Sequence, residues 1–259
     1  MTLAHAGAPA RERAIPTLDR WRDLPPFNDE IRGEDQVLLI AATGGAKSTL
    51  VATMTLHTPS LVALDEKDAL KLPRARIVSL PARDSLIEHE PDAYYRHVAR
   101  AIAWRDTRGT GDTNRVILRP NVLDIDGFEA HNDIFHAIYD RRAVITWIDE
   151  ITATGATSQR VQPWLKGISA RGRTRHVGLW TCTQAPFSLT PTILRRNATY
   201  LIFGPLDEED ARDIPRRSIE LAVSIPRKSG RFIVYKAGER DPYRLYLPIP
   251  DVLAGWKAP

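Results

Sequence analysis

Residues 36–49, QVLLIAATGGAKST, decide the fold of this chain. The continuous apolar run Val37–Ala42 predicts a buried β-strand. A glycine pair follows at once, and then a lysine, a serine and a threonine in helical sequence. A strand, a glycine turn, a lysine and a hydroxyl at a helix start are the parts of a phosphate-binding loop. The spacing matches G-x-x-x-x-G-K-[ST], with Ala41 and Ala46 at the two formal glycine positions.

The alternative to a phosphate loop is a glycine turn before an ordinary helix that carries an exposed lysine. The strand before the turn and the lysine-serine pair in register favour the phosphate loop. Gly44 and Gly45 supply the conformational freedom inside the turn, and we expect the alanine before Lys47 to add only a methyl group where the helix begins. The predicted nucleotide-binding residues are Thr43, Gly44, Gly45, Ala46, Lys47, Ser48 and Thr49.

A second apolar strand, Ala143–Ile148, ends in an acidic pair. We expect Asp149 to hold Mg²⁺ together with Ser48, and Glu150 to polarise the attacking water as a general base. A third strand, Val177–Thr183, is followed by Gln184. If this strand lies between the other two, Gln184 can sense the γ-phosphate; alternatively, it only caps the strand end.

Strand-like and helix-like segments alternate along the rest of the chain, which predicts βαβ units and an α/β fold with a mostly parallel central sheet. Residues 1–33 are rich in proline and charge and are expected to form an N-terminal arm. Residues 34–259 are expected to form one domain, with a strand-rich extension at about 215–259. The other predicted strands are Leu61–Leu64, Arg76–Leu80, Val116–Leu118, Tyr200–Phe203, Arg231–Tyr235 and Tyr243–Leu247. The predicted helices are Ser48–His57, Pro91–Trp104, Phe128–Asp140, Gln159–Arg171 and Glu208–Ile214.

Composition excludes some classes of protein without choosing a function. The 259 residues are 43% hydrophobic, and the formal net charge is +4. The single cysteine, Cys182, excludes an intramolecular disulfide, and no apolar run is long enough for a membrane span or a signal peptide. Arginine outnumbers lysine 29 to 7, which suits phosphate contacts but also follows from a GC-rich genome. We expect a cytoplasmic protein, which for a viral protein means the host cytoplasm or the virion.

The segment from Val144 to Pro186 resembles the FtsK–HerA superfamily of ring ATPases. In that family a strand ending in Asp-Glu is followed by a helix, a Gly-Arg element, a strand and a Thr-Gln pair. The segment Leu61–Lys67 resembles the family's second strand, which usually ends Asp-Pro-Lys; Glu66 replaces the proline here. The resemblance spans Gln36–Ile214 and implies an ASCE-type, RecA-like P-loop NTPase that binds ATP and Mg²⁺. It also implies an arginine finger acting on the neighbouring subunit, with Arg173 as first candidate and Arg171 as second.

The resemblance implies an ATP-driven translocase of double-stranded DNA that works as a homo-oligomeric ring, either a pentamer or a hexamer. The short chain is most similar to viral genome-packaging ATPases, so a portal or capsid protein is a further expected partner. Two alternatives stay open: a phage assembly or secretion ATPase that moves protein, and a nucleotide-binding scaffold without turnover.

A packaging motor must grip the DNA backbone irrespective of sequence, so arginine and lysine are the expected contacts. Residues 160–228 contain 12 basic and 6 acidic residues. The candidate contacts are the pairs Arg195-Arg196, Arg216-Arg217 and Arg227-Lys228 and the loop Arg105–Arg115. For each of them an ordinary solvated surface is the alternative.

Overall fold

The computed structural model describes residues 17–18, 35–55, 58–88, 90–104, 113–124, 127–207, 209–210, 214, 230–237 and 243–246. The strands in these ranges are β1 (Thr17–Leu18), β2 (Gln36–Ile40), β3 (Ser60–Leu64), β4 (Arg76–Ser79), β5 (Asn114–Arg119), β6 (Val144–Ile148), β7 (Val177–Thr183), β8 (Tyr200–Phe203), β9 (Arg231–Lys236) and β10 (Tyr243–Tyr246). The α-helices are α1 (Lys47–Met54), α2 (Arg83–Ile87), α3 (Ala93–Ile102), α4 (Phe128–Arg141), α5 (Pro163–Arg171) and α6 (Thr192–Asn197). Short 3-10 helices span Val122–Asp124, Ile151–Thr154 and Gly172–Arg175.

All of the described strands belong to one sheet, in the order β1-β10-β9-β8-β2-β7-β6-β3-β5-β4. The strands from β8 to β4 pair in parallel, whereas β9 pairs antiparallel with both β8 and β10. This confirms the expected α/β fold, its mostly parallel central sheet and its short β additions near the C-terminus. Thr17–Leu18 pairs in parallel with β10, and the other residues of the expected N-terminal arm lie outside the described part of the chain.

Helices cover both faces of the central strands, which is why these strands are apolar throughout rather than alternating. Every residue of β2, β6 and β7 is buried. On one face, Leu50 and Val51 of α1 share a core with Trp147 and Trp180. On the other face, residues of α3, α4 and α5 share a core with the opposite side of the same sheet. The sheet therefore forms a rigid centre whose strand ends position the connecting loops.

The strands Val177–Thr183 and Tyr200–Phe203 lie where the sequence predicts them, residue for residue. The helix predicted from Gln159 begins at Pro163 instead. Proline favours the first helical position because its φ is already helical and it has no N–H to leave unpaired. The predicted helix Glu208–Ile214 falls mostly outside the described residues. No helix in the described ranges is both long and apolar enough to cross a membrane.

Candidate nucleotide site

The three strands expected to carry the site lie side by side in the sheet. β7 lies between β2 and β6, with Ile40 opposite Thr183 and Ile148 opposite Thr181. The three strands run parallel, so their carboxyl ends meet at one edge. In open parallel sheets this edge is where ligands bind. The phosphate loop, the acidic pair and Gln184 therefore meet there.

The phosphate loop is a tight turn with two residues in left-handed conformation. The N–H of Gly45 donates to the carbonyl of Ala42 at 3.1 Å. Gly44 has φ 75°, and Ala46, the residue before α1, has φ 64° and ψ 28°. A side chain in this region costs about 1–2 kcal/mol because its Cβ crowds the following carbonyl. The expectation that the alanine adds only a methyl group was therefore incomplete, since its backbone angle is the costly feature.

The methyl group of Ala41 occupies space that two glycines leave open. A Cβ on Gly204 would lie 2.5 Å from the Ala41 Cβ, and a Cβ on Gly45 would lie 3.0 Å from it. Both distances are too short for two methyl groups. The alanine at the first formal glycine position is thus accommodated by glycines at positions 45 and 204.

Lys47 lies inside the loop. Its side chain is buried, and its Nζ donates to the carbonyls of Ala41 at 2.7 Å and Ala42 at 3.0 Å. Burial lowers the pKa of this ammonium, partly opposed by the charges of Glu150 and Asp149. An ammonium that is held by two neutral carbonyls can exchange them for phosphate oxygens, which carry charge and are better acceptors.

Ser48 and Asp149 meet although they are 101 positions apart. The Ser48 hydroxyl donates to Asp149 Oδ1 at 2.7 Å, and burial raises the pKa of the Asp149 carboxyl, opposed by this hydrogen bond. A hydroxyl and a carboxylate are the hard oxygen ligands that Mg²⁺ prefers. The described residues contain no group of three His, Cys, Asp or Glu side chains that could hold a metal alone. The pair therefore fits a Mg²⁺ whose remaining ligands are phosphate oxygens and water.

The carboxylate of Glu150 is held from two sides. Its Oε2 accepts from the N–H of Gln184 at 3.1 Å, and its Oε1 accepts from the hydroxyl of Thr152 at 2.8 Å. The Gln184 side chain accepts from the hydroxyl of Thr43 in the phosphate loop at 2.7 Å. A hydrogen-bonded chain thus joins the phosphate loop, the Gln184 strand end and Glu150. The role of Thr152 was missed from the sequence, although a threonine two residues after an acidic residue is a signal for such a local cap.

The predicted arginine finger lies at the opposite edge of the sheet. Residues Gly172–Arg175 precede β7, whereas Gln184 follows it, and seven strand residues span roughly 23 Å. Arg173 donates to the hydroxyl of Thr199 and lies 3.9 Å from Asp35. Arg171 is exposed, and its guanidinium has no hydrogen-bond or ion-pair partner among the described residues. Neither arginine reaches the nucleotide site of its own subunit.

The candidate DNA contacts differ in exposure. Arg196 at the end of α6 is exposed. The Arg195 guanidinium lies over the Phe187 ring, 4.9 Å from its centroid. The prediction that Arg115 contacts DNA is wrong. Arg115 is 3% exposed and donates to the Thr55 carbonyl at 3.1 Å, so its charge does not face a partner. Residues 105–112 and the pairs Arg216-Arg217 and Arg227-Lys228 lie outside the described part of the chain.

Comparison with known proteins supports the fold assignment. No protein-family model matches the chain, and no curated protein matches it. Among solved structures it is similar to the genome packaging NTPase B204 of Sulfolobus turreted icosahedral virus 2 in complex with AMPPCP. The identity is 15%, the match covers 85% of this chain and 100% of B204, and the TM-score is 0.61.

Two further structures have the same fold. B204 of Sulfolobus turreted icosahedral virus, a DNA-packaging ATPase, is 16% identical with a TM-score of 0.54, over 85% of this chain and 100% of that one. The bacterial conjugative coupling protein TrwB is 11% identical with a TM-score of 0.55, over 85% of this chain and 86% of that one. This chain therefore has the same α/β P-loop NTPase fold as these solved structures.

Proposed function

We propose that this chain is an ATPase that translocates double-stranded DNA as a homo-oligomeric ring, in the manner of a viral genome-packaging motor. One observation supports the proposal most strongly. Five residues lie together at the edge of the sheet where the parallel strands β2, β7 and β6 end: Lys47, Ser48, Asp149, Glu150 and Gln184. Among them, Ser48 and Asp149 come within 2.7 Å of each other. The solved structures with a similar fold include a genome packaging NTPase and a conjugative coupling protein, and this similarity supports the choice of this type of ATPase.

Different residues of this chain bind the phosphates, hold the metal ion and activate the attacking water. The loop amides and Lys47 bind the β- and γ-phosphates, for which Lys47 leaves the carbonyls of Ala41 and Ala42. Ser48 and Asp149 hold Mg²⁺, which when bound neutralises the charge that develops on the phosphates. Glu150 orients the attacking water and takes its proton. The hydrogen bonds from Thr152 and Gln184 fix the direction of that carboxylate.

The position of the arginine element supports a ring. Arg171 and Arg173 lie about a strand length from the site in their own subunit, so they can serve only the site of a second copy. A trans-acting arginine is worth about 10³–10⁵ in rate. Arg173→Ala mixed with Lys47→Ala should regain ATPase activity, because each chain supplies what the other lacks. If no ratio regains activity while Arg173→Ala alone stays fully active, the finger is a different residue.

DNA as the translocated polymer is supported by charge and by the comparison proteins. The 12 basic and 6 acidic residues in 160–228 suit backbone contacts that do not read sequence. Arg196, which is exposed, is a candidate contact in this region. A packaging role adds a portal or capsid protein as a partner and places the motor in the host cytoplasm or on the virion.

Ala46 favours one specific alternative, a nucleotide-binding scaffold without turnover. Its left-handed backbone costs energy in a loop that must adapt to phosphate. Phosphate release from ATP separates the two functions. The proposal predicts turnover that Lys47→Ala and Glu150→Gln each abolish, with Lys71→Ala as the matched control because Lys71 is exposed and lies outside the basic region 160–228. Turnover that is near normal in either variant would contradict the assigned roles, and no turnover in the wild type would favour the scaffold. Turnover without DNA stimulation would favour a motor that moves protein.

A further inference from the structure

The segment Asp65-Glu66-Lys67 follows β3 and lies beside the nucleotide site, although no step proposed above uses it. β3 pairs with β6, and the N–H of Asp149 donates to the carbonyl of Leu64 at 3.3 Å. The segment therefore starts at the same strand edge as the acidic pair. It lies on the side of that pair away from the phosphate loop, because the sheet order is β2-β7-β6-β3.

Asp65 fixes the turn that follows β3. Its side chain is fully buried, and it accepts from the N–H groups of Ala69 at 3.1 Å and Leu70 at 2.8 Å. The Nε of Arg119 lies 3.1 Å from Asp65 and 2.7 Å from Asp68, and so clamps both ends of the turn. Asp65 and Arg119 are largely shielded from water, whereas the Asp68 side chain is 75% exposed, so the turn is held mainly through Asp65.

Glu66 anchors the same turn to α4. Its Oε1 accepts from His131 Nε2 at 2.7 Å, and both side chains are buried. His131 Nδ1 donates to the carbonyl of Gly127 at 2.8 Å. Both ring nitrogens face oxygen atoms; burial lowers the pKa of His131, but the hydrogen bond and charge of Glu66 outweigh burial and raise it, which favours the imidazolium form. A buried ion pair at the second position of the motif restrains the backbone where the resembling family has a proline.

Lys67, the third residue, is exposed, and its ammonium has no partner among the described residues. Burial is the main cause of the lowered pKa of Lys47 and of the raised pKa of Asp149; the positive charge of Lys67 adds to the first shift and opposes the second, so it acts on both groups. The buried side chains of Asp65 and Glu66 thus fix the backbone next to the exposed ammonium of Lys67, on the side of the site that holds Asp149.

We propose that Lys67 is a second cation for the terminal phosphate of ATP, acting within its own subunit and on the proposed nucleotide site. Lys47 approaches the phosphates from the loop on β2, whereas Lys67 approaches from the β3 side, beyond Asp149. A phosphate reached from that side is the one farthest from the loop, which is the γ-phosphate. ADP lacks this phosphate, so Lys67 sets the preference for ATP over ADP. A lysine suits the task because its ammonium is a compact charge with three donors on a flexible stem.

The test is the ratio of affinities for AMPPCP and ADP, measured by calorimetry at low salt with Mg²⁺. Lys67→Met should weaken AMPPCP binding on the order of tenfold and leave ADP binding within about twofold, as expected for one lost charge-assisted contact. Lys67→Arg should retain most of the preference. Lys71→Met is the matched control, because Lys71 is also exposed and lies four positions along the chain; it should change neither affinity.

The outcomes separate this proposal from the proposed function. If the wild type binds both nucleotides and Lys67→Met keeps the wild-type ratio, or weakens both ligands equally, the role of Lys67 is wrong and the nucleotide site stands. If the wild type binds neither nucleotide, the proposed function fails and this proposal fails with it. Because Lys67 is exposed, the variant should unfold at the wild-type temperature, which checks that an altered ratio is not a folding defect.

Discussion

Replacement of Gly204 by alanine tests the account of how the phosphate loop accepts Ala41. The new Cβ would lie 2.5 Å from the Ala41 Cβ and 3.1 Å from Cε1 of Phe232. Carbon atoms prefer a separation of about 3.5–4.0 Å, so the methyl groups overlap by roughly 1 Å or more. Such overpacking costs about 1–3 kcal/mol. Gly204 is not among the glycines with positive φ, so alanine is otherwise allowed and regains about 0.4–1 kcal/mol through the unfolded state.

The expected net loss for Gly204→Ala is therefore about 1–2 kcal/mol in the free energy of unfolding, measured from urea midpoints with the slope unchanged. Ala41→Gly in the same chain removes one of the two colliding methyl groups. The double variant should then be more stable than additivity predicts, by about 1 kcal/mol or more, since contacting residues couple. Additive effects, or a neutral Gly204→Ala, would refute the argument that these two positions share one space.

Two further predictions concern titratable groups. Asp149→Asn should abolish the Mg²⁺ dependence of nucleotide binding. It should also raise the urea midpoint of the nucleotide-free protein, because burial raises the pKa of Asp149 and makes its charged form costly. A lower urea midpoint would contradict this. Burial lowers the pKa of His131, but the hydrogen bond and charge of Glu66 outweigh burial and the pKa is raised. The stability from this pair is present below the ordinary histidine pKa of 6.5 and is lost as pH rises through the raised value. The stability difference between wild type and His131→Gln should therefore shrink from pH 6 to pH 9, and a constant difference would show that the ring is neutral.

Much of the site could be predicted from the sequence because its parts lie in short segments with fixed spacing. Lys47 and Ser48 follow an apolar strand at the spacing that a phosphate loop needs, and Asp149 and Glu150 end another strand. The parallel sheet then brings the strand ends together, since their order follows from the α/β topology. The sequence could also predict that Gln184 belongs to the middle strand, and the structure places β7 between β2 and β6.

The features that sequence could not predict depend on backbone angles or on contacts between distant positions. The left-handed backbone conformation of Ala46 cannot be predicted from its residue type, because alanine rarely adopts it. Arg115 lies in a basic loop by composition, but the pairing of β5 buries it against the end of α1. The pairing of Glu66 with His131 joins positions 65 apart. For Arg115 and for the Glu66–His131 pair, a tertiary contact outweighs the local pattern.

The most direct test of the central claim is ATP turnover by the wild-type protein with and without double-stranded DNA across a salt series. A motor that grips the DNA backbone releases counterions on binding, so its stimulation should fall steeply as salt rises. The account predicts a strong stimulation at low salt, the same for DNA of unrelated sequence, that is lost at high salt while basal turnover remains. Turnover that is unchanged by DNA at every salt concentration would contradict the claim that this ATPase moves DNA.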